Sequence, residues 1–311
     1  ESKKKAKHHI TIEDIPYTSI EFAKNNPVSL ESGTSHKMQL VTGPANATDH
    51  RIKWTSSNKT AATVDENGTV TALRPIETVT ITAVYKTNPA LTCSWNLKIT
   101  RTKGYITKQM LDNLDLTSIK KVMITAHPDD ETLWGGGHLI EGEYLVVCMT
   151  HGWNPKRRTA FEQTMRTTND KYLILDYPDV RKTFSNGKYE TDMLSTCKNA
   201  MQEDINLILS YKKWDLIATH NPFGEYGKFL HKTISQMVTQ CYNKMTNKSA
   251  TLYYFGRYYN SSNKIPGEQI APELLAIKNS MVGRYYPTAK GAIDAFGHMI
   301  PYENWLLPSE W

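Results

Sequence analysis

The sequence predicts an α/β protein in which an all-β sandwich precedes a Rossmann-like, doubly wound and mostly parallel sheet. Its 311 residues exceed the length at which single hydrophobic cores usually stop growing, about 250 residues, so two domains are expected. Short strand-like segments fill residues 17–101, whereas strand-like and helical segments alternate over residues 102–311. A basic, flexible segment is expected over residues 1–16.

The predicted sandwich rests on short segments that alternate or are rich in β-branched residues, at 37–41, 51–54, 69–73 and 78–85. Turn-forming dipeptides such as Asn58-Lys59 and Asn88-Pro89 separate them. Short strands at such intervals, with no convincing helix between them, are typical of a β-sandwich.

The second domain is predicted from strands over 121–126, 144–150 and 214–220 and from helices over about 132–140, 157–172, 192–211 and 231–245. Strands that alternate with helices indicate βαβ units and a parallel sheet. Ligands of such sheets bind beyond the carboxyl ends of the strands, at the point where the strand order reverses. Functional residues are therefore expected directly after the strands.

Composition argues against several classes of partner. The net charge of +6 is partly local, because Lys3, Lys4, Lys5 and Lys7 crowd the N-terminus. Basic clusters do not alternate with stacking aromatics, so nucleic acid is not expected as a partner. No apolar run approaches the roughly 18 residues of a membrane span. The four cysteines fit neither a zinc knuckle nor a disulfide framework and are expected to be buried.

The first strand of the second domain ends in His127-Pro128-Asp129-Asp130-Glu131. An imidazole beside two carboxylates on a proline turn suits zinc, and a carboxylate that does not bind the metal is free to act as a general base. The alternative is an acidic turn that caps the next helix, with Asp129 or Asp130 as the N-cap.

A second candidate segment follows the strand at 214–220 and runs from His220 to His231. A catalytic zinc ion takes three protein ligands and keeps one position open for water. His127, Asp130 and one of the two histidines of this segment would complete such a set.

The residue order of the first domain resembles the bacterial Ig-like domain of group 2. This resemblance is carried by the residues at 52–58, 62–65 and 68–72. It implies that Trp54 lies in the core, that Gly68 forms a turn, and that the protein is extracellular or at the cell surface. Because the chain opens on Glu1, a signal peptide is expected to have been removed.

The second domain resembles the LmbE/PIG-L family of zinc-dependent N-acetylglucosaminyl deacetylases. The family's two motifs match residues 126–131, followed by the three glycines at 135–137, and residues 226–231. The resemblance implies that His127, Asp130 and His231 bind zinc and that Asp129 is the general base. It also implies that Tyr226 stabilises the oxyanion formed from an N-acetylated sugar or glycoconjugate.

The chain departs from this family at Lys228, where a histidine is usual. A lysine could stabilise an oxyanion or donate a proton, but could not accept one while charged. Arg158, beside Arg157, and His220 are the candidate substrate-binding residues. The departure leaves two alternatives to the deacetylase open, which are a glycan-binding surface protein with a degenerate deacetylase domain and an amidase that acts on non-sugar amides.

Overall fold

The computed structural model describes residues 13–180, 192–246 and 248–311, so most of the predicted basic segment lies outside the described residues. The chain forms two compact units, Glu1–Thr100 and Arg101–Trp311. Across the described residues, no helix has both the length and the apolar character needed to cross a membrane.

The first unit is a β-sandwich region, as predicted, and its strands lie in a four-stranded sheet of order β2-β9-β8-β5, a three-stranded sheet of order β3-β7-β6 and a β1-β4 pair. The strands of this unit are β1 (Ser19–Phe22), β2 (Ser29–Glu31), β3 (Ser35–Lys37), β4 (Leu40–Gly43), β5 (Ile52–Ser56), β6 (Ala62–Val64), β7 (Thr69–Ala72), β8 (Ile76–Tyr85) and β9 (Thr92–Thr100).

One predicted strand of this unit, at 37–41, is divided in the structure. The backbone N–H of Met38 donates to the carbonyl of Gly68, whereas the N–H of Gln39 donates to the side chain of Asn26. The chain thus changes partners at this point, and β3 pairs with β7 while β4 pairs with β1.

Gly68 takes the structural role that the Ig-like resemblance implies, whereas Trp54 is partly buried at the border of the core rather than within it. The Trp54 ring packs against Phe22 with 5.9 Å between the ring centroids and borders the core of the sandwich. Gly68 has a φ of +80°, and a Cβ atom there would lie 2.6 Å from the Trp54 ring. Glycine is therefore required at this turn for both its backbone angle and its small size.

The second unit is built on a five-stranded parallel sheet of order β12-β11-β10-β13-β14. The strands are β10 (Lys121–Thr125), β11 (Tyr144–Thr150), β12 (Lys171–Tyr177), β13 (Leu216–Thr219) and β14 (Thr251–Tyr254). Because the chain moves outward from β10 to β12 and then returns to place β13 on the other side of β10, the strand order reverses between β10 and β13.

Helices cover both faces of this sheet. Val122 and Ile124 of β10 face a core that includes α1, α4 and α6, whereas Met123 faces a core formed with α2, α3 and α7. The helices are α1 (Lys108–Asn113), α2 (Asp130–Glu141), α3 (Pro155–Thr168), α4 (Asp192–Tyr211), α5 (Gly224–Gly227), α6 (Phe229–Lys244) and α7 (Pro272–Phe296).

The predicted helix at 157–172 is wrong at its C-terminal end. Helix α3 stops at Thr168 because Asn169 adopts a left-handed conformation with φ 60°, and β12 starts two residues later. The sequence prediction therefore lacks β12, and it also lacks β14.

The three consecutive glycines of α2 receive the C-terminal segment of the chain. The helix is kinked at Gly135, which lies against Trp305. At this kink the indole N–H of Trp305 donates to the Trp134 carbonyl at 2.8 Å, and the backbone N–H of Gly137 donates to the Glu303 carboxylate at 2.6 Å. The glycines thus serve the close packing of α2, which begins at Asp130.

Candidate metal and catalytic site

The candidate site lies where the strand order reverses. His127 and Asp130 follow β10, His220 follows β13, and His231 lies in the first turn of α6. All four side chains are buried, with exposed fractions of 5% or less. The sheet therefore brings the two predicted segments together at one edge.

Three atoms form a nearly equilateral triangle at this edge. Nδ1 of His127 lies 3.1 Å from Nε2 of His231 and 3.2 Å from Oδ2 of Asp130, and the last two atoms are 3.4 Å apart. A tetrahedral zinc ion with bonds of about 2.0–2.1 Å separates its ligand atoms by about 3.3 Å. These residues therefore fit a tetrahedral metal ion with one open position.

Both histidines are backed by a carboxylate on the ring nitrogen that faces away from the triangle. Nδ1 of His231 is 2.5 Å from Oε2 of Glu225, and Nε2 of His127 is 3.0 Å from Oδ1 of Asp179. Such outer carboxylates hold a metal-binding imidazole in the tautomer that presents a lone pair to the metal. Burial lowers the pKa of His231 to about 4, which keeps that lone pair available at neutral pH.

Sequence reasoning assigned no role to Glu225 or Asp179. Asp179 follows β12, the strand that the sequence prediction missed, so its place at a strand end was not visible. Glu225 lies within the predicted segment from His220 to His231, and the signal that could have found it was its spacing from both histidines.

His220 lies behind the triangle. Its Nε2 accepts the backbone N–H of Ala126 at 2.9 Å, and its Nδ1 lies 3.1 Å from Oε2 of Glu225. The nearby carboxylates favour a charged ring, but the Ala126 N–H requires a lone pair on Nε2, so we assign the neutral ring protonated at Nδ1. Both ring nitrogens are thus engaged. The side chain is fully buried and does not line the cavity, where the predicted contact with substrate would place it.

Asp129 occupies the N-cap position of α2 but makes no capping hydrogen bond through its side chain. Among the residues that the structure describes, none donates a hydrogen bond to its carboxylate, which is almost fully buried. Burial, aided by the charge of Asp130, raises the pKa of Asp129 to about 8. A raised pKa makes this carboxylate a stronger proton acceptor, which is the property that a general base needs.

A cavity of about 90 Å³ opens beside the triangle. Tyr226 and Lys228, which were predicted to be catalytic, both line it. Burial and the surrounding carboxylates raise the pKa of Tyr226, so its phenol keeps its proton and can donate. The remaining wall combines charged and apolar side chains from several elements, namely Leu133, Trp134, His151, Arg157, Asp179, Ala292 and Phe296.

Of the two adjacent arginines, the structure places Arg157 on the cavity wall and directs Arg158 elsewhere. An Arg157 Nη2 donates to the Thr288 carbonyl at 3.1 Å. Arg158 Nε donates to the Gly152 carbonyl at 2.6 Å, and its Nη1 lies 3.8 Å from Glu162. Neighbouring residues of a helix point in different directions, so the sequence could not separate the two.

Comparison with known proteins finds relatives for both parts of the chain. Residues 16–94 match the bacterial Ig-like domain (group 2). The chain is 31% identical over 175 residues to the uncharacterized protein L374 of Acanthamoeba polyphaga mimivirus, a match that covers 51% of this chain and 67% of the viral protein. This chain belongs to the family of that viral protein.

Two further similarities were found. The chain is 32% identical over 117 residues to the uncharacterized protein CA_P0160 of Clostridium acetobutylicum, which covers 37% of this chain and 12% of that protein. The crystal structure of the conserved protein TT1542 from Thermus thermophilus aligns with a TM-score of 0.45 at 12% identity, covering 62% of this chain and 96% of that protein.

Proposed function

We propose that the chain is a zinc-dependent amidohydrolase that removes the N-acetyl group from an N-acetylglucosamine-containing sugar or glycoconjugate. The observation that carries the proposal is the triangle of His127, Asp130 and His231 beside the buried carboxylate of Asp129. The strand order of the second unit, which suits a Rossmann-like fold, and the resemblance to LmbE/PIG-L deacetylases support it.

The residues of the cavity divide the work of amide hydrolysis. His127, Asp130 and His231 would hold a zinc ion, which would polarise the amide carbonyl and lower the pKa of a bound water to about 7. Asp129 takes a proton from the attacking water and passes it to the departing amine. Tyr226 and Lys228 donate to the oxygen that becomes negative, because both line the cavity and both side chains are hydrogen-bond donors.

The Asp129→Asn variant tests this proposal because it removes the base and keeps the shape of the side chain. We expect the wild type to bind one zinc ion and to release acetate from N-acetylglucosamine derivatives. The variant should bind zinc equally and lose about 10²–10⁴-fold in turnover. Asp215→Asn serves as the control, because Asp215 is an exposed residue directly before β13. Full activity of Asp129→Asn would remove Asp129 from the mechanism.

Lys228 favours a second candidate function, a glycan-binding surface protein whose deacetylase domain no longer turns over. The Ig-like domain at residues 16–94 suits an extracellular or cell-surface position for either function. Stoichiometric zinc and measurable binding of chitooligosaccharides, with no acetate released from any amide, would favour the binding protein. Release of acyl groups from non-sugar amides alone would instead indicate a general amidase.

A further inference from the structure

We propose that Glu131 and Tyr285 are positioning residues that hold Asp129 in its working orientation. This inference rests on the proposed role of Asp129 as the base, and it concerns contacts that lie behind the cavity rather than on its wall.

The backbone at Asp129 needs such support. Its φ of 139° and ψ of −31° lie in a region that residues with a side chain rarely adopt. Strained conformations of this kind persist only where the surrounding contacts over-determine them. At Asp129 the carbonyl accepts the N–H groups of Thr132 and Leu133, at 3.1 and 2.9 Å, as the helix begins. The remaining backbone group is the N–H of Asp129 itself.

Glu131 accepts that N–H. Its Oε2 lies 3.0 Å from the backbone nitrogen of Asp129, and its Oε1 accepts the hydroxyls of Thr132 at 2.7 Å and Tyr285 at 2.5 Å. The Glu131 side chain is fully buried. A buried carboxylate with three donors has a defined rotamer, and hydrogen bonds to such a group are stronger than neutral ones. The carboxylate therefore fixes the peptide that carries the base.

Tyr285 extends this support to α7. Its ring is fully buried, and the same helix supplies Ala292 and Phe296 to the cavity wall. One helix thus contacts the space where substrate would lie and, through one hydroxyl and one carboxylate, the backbone of Asp129. Loss of the Tyr285 hydroxyl would free Glu131 to change its rotamer and would loosen the Asp129 peptide.

The chain offers a matched control for removal of this hydroxyl. Tyr177 is also buried, and its hydroxyl donates to Asp204 at 2.7 Å. Tyr177 belongs to the core on one face of the sheet, and Tyr285 belongs to the core on the other. Tyr177→Phe and Tyr285→Phe therefore delete the same kind of bond, and only the second bond leads to Asp129.

The test has one readout that needs no turnover. In zinc-loaded protein, the hydrogen exchange of the Asp129 backbone amide, followed by NMR, should be at least about tenfold faster in Tyr285→Phe and unchanged in Tyr177→Phe. Only Tyr285→Phe removes a hydrogen bond to Glu131, the carboxylate that accepts the Asp129 N–H. In the acetate-release assay, kcat of Tyr285→Phe should fall by about 10–100-fold with KM and zinc content unchanged.

Each outcome decides a different point. Equal exchange and equal kcat in the two tyrosine variants would overturn the positioning role. A wild type that releases no acetate would overturn the proposed function, while the exchange rates would still show whether Tyr285 holds the Asp129 peptide. If Tyr285→Phe does not fold, Thr132→Val removes another donor to Glu131 and should change both measurements in the same direction.

Discussion

Replacing Glu225 by glutamine perturbs the carboxylate that backs the metal-binding histidine of α6. Its two oxygens accept three N–H donors, from His231 at 2.5 Å, from His220 at 3.1 Å and from the backbone of Asn221 at 3.1 Å. A glutamine offers one oxygen and one NH₂ group in the same space. At least one buried donor would therefore face another donor.

The size of the effect follows from this loss. A hydrogen bond to a charged group contributes about 1.5–3 kcal/mol. Removing a carboxylate behind a metal-binding histidine typically weakens metal binding by about 10–100-fold. That range corresponds to about 1.4–2.8 kcal/mol, which is consistent with the loss of one such bond. We expect Glu225→Gln to raise the zinc Kd by this factor, because a neutral amide oxygen is a weaker acceptor for the His231 ring than the carboxylate is.

The assay is competition for zinc against a chelator of known affinity at constant pH. Glu203→Gln is the control, since Glu203 also accepts a backbone N–H, from Gly104 at 3.0 Å, but lies in α4 away from the site. A Kd for Glu225→Gln that matches both wild type and control would refute the role of the outer carboxylate. A wild type that binds no zinc would refute the ligand set itself.

Two further predictions concern stability, measured by urea denaturation. Lys278→Met should lower the free energy of unfolding by about 3–5 kcal/mol, because Lys278 and Glu303 form a buried pair at 2.6 Å and the variant leaves the carboxylate without its lysine partner. Adding Glu303→Gln to this variant should recover part of the loss. Losses that simply add in the double variant would contradict the reasoning. Burial raises the pKa of Asp170 from 3.8 to about 7, so the folded state keeps a proton that the unfolded chain loses. Wild type should therefore lose up to about 4 kcal/mol relative to Asp170→Asn as the pH rises from about 4 to 7, and a pH-independent difference would contradict this sign.

The fold could be predicted where local patterns are strong. The change from closely spaced strands to alternating strands and helices marked the two parts of the chain, and the parallel sheet and the Ig-like domain are confirmed. Strand β12 was missed because only Asn169 and Asp170 separate it from α3. The short spacing left no clear punctuation, and the helical period continued across it.

The candidate site could be predicted in its motif residues and not in their support. His127, Asp130 and His231 follow strands or start helices, so the rule on strand ends grouped them, and their role as metal ligands stays a prediction. Asp179 and Tyr285 contact the site only through tertiary packing. Tyr285 lies 154 residues from Glu131, and no short-range pattern links the two.

The distance along the chain between the two histidines of the triangle has a consequence for how the second unit forms. His127 and His231 are 104 residues apart in sequence and 3.1 Å apart in space. They meet only after β13 has been inserted beside β10, a non-local pairing that carries a large loop-closure cost. Any metal that needs both rings would bind the assembled sheet and not its fragments, so its uptake would report the completion of folding and would stabilise only chains that had reached it.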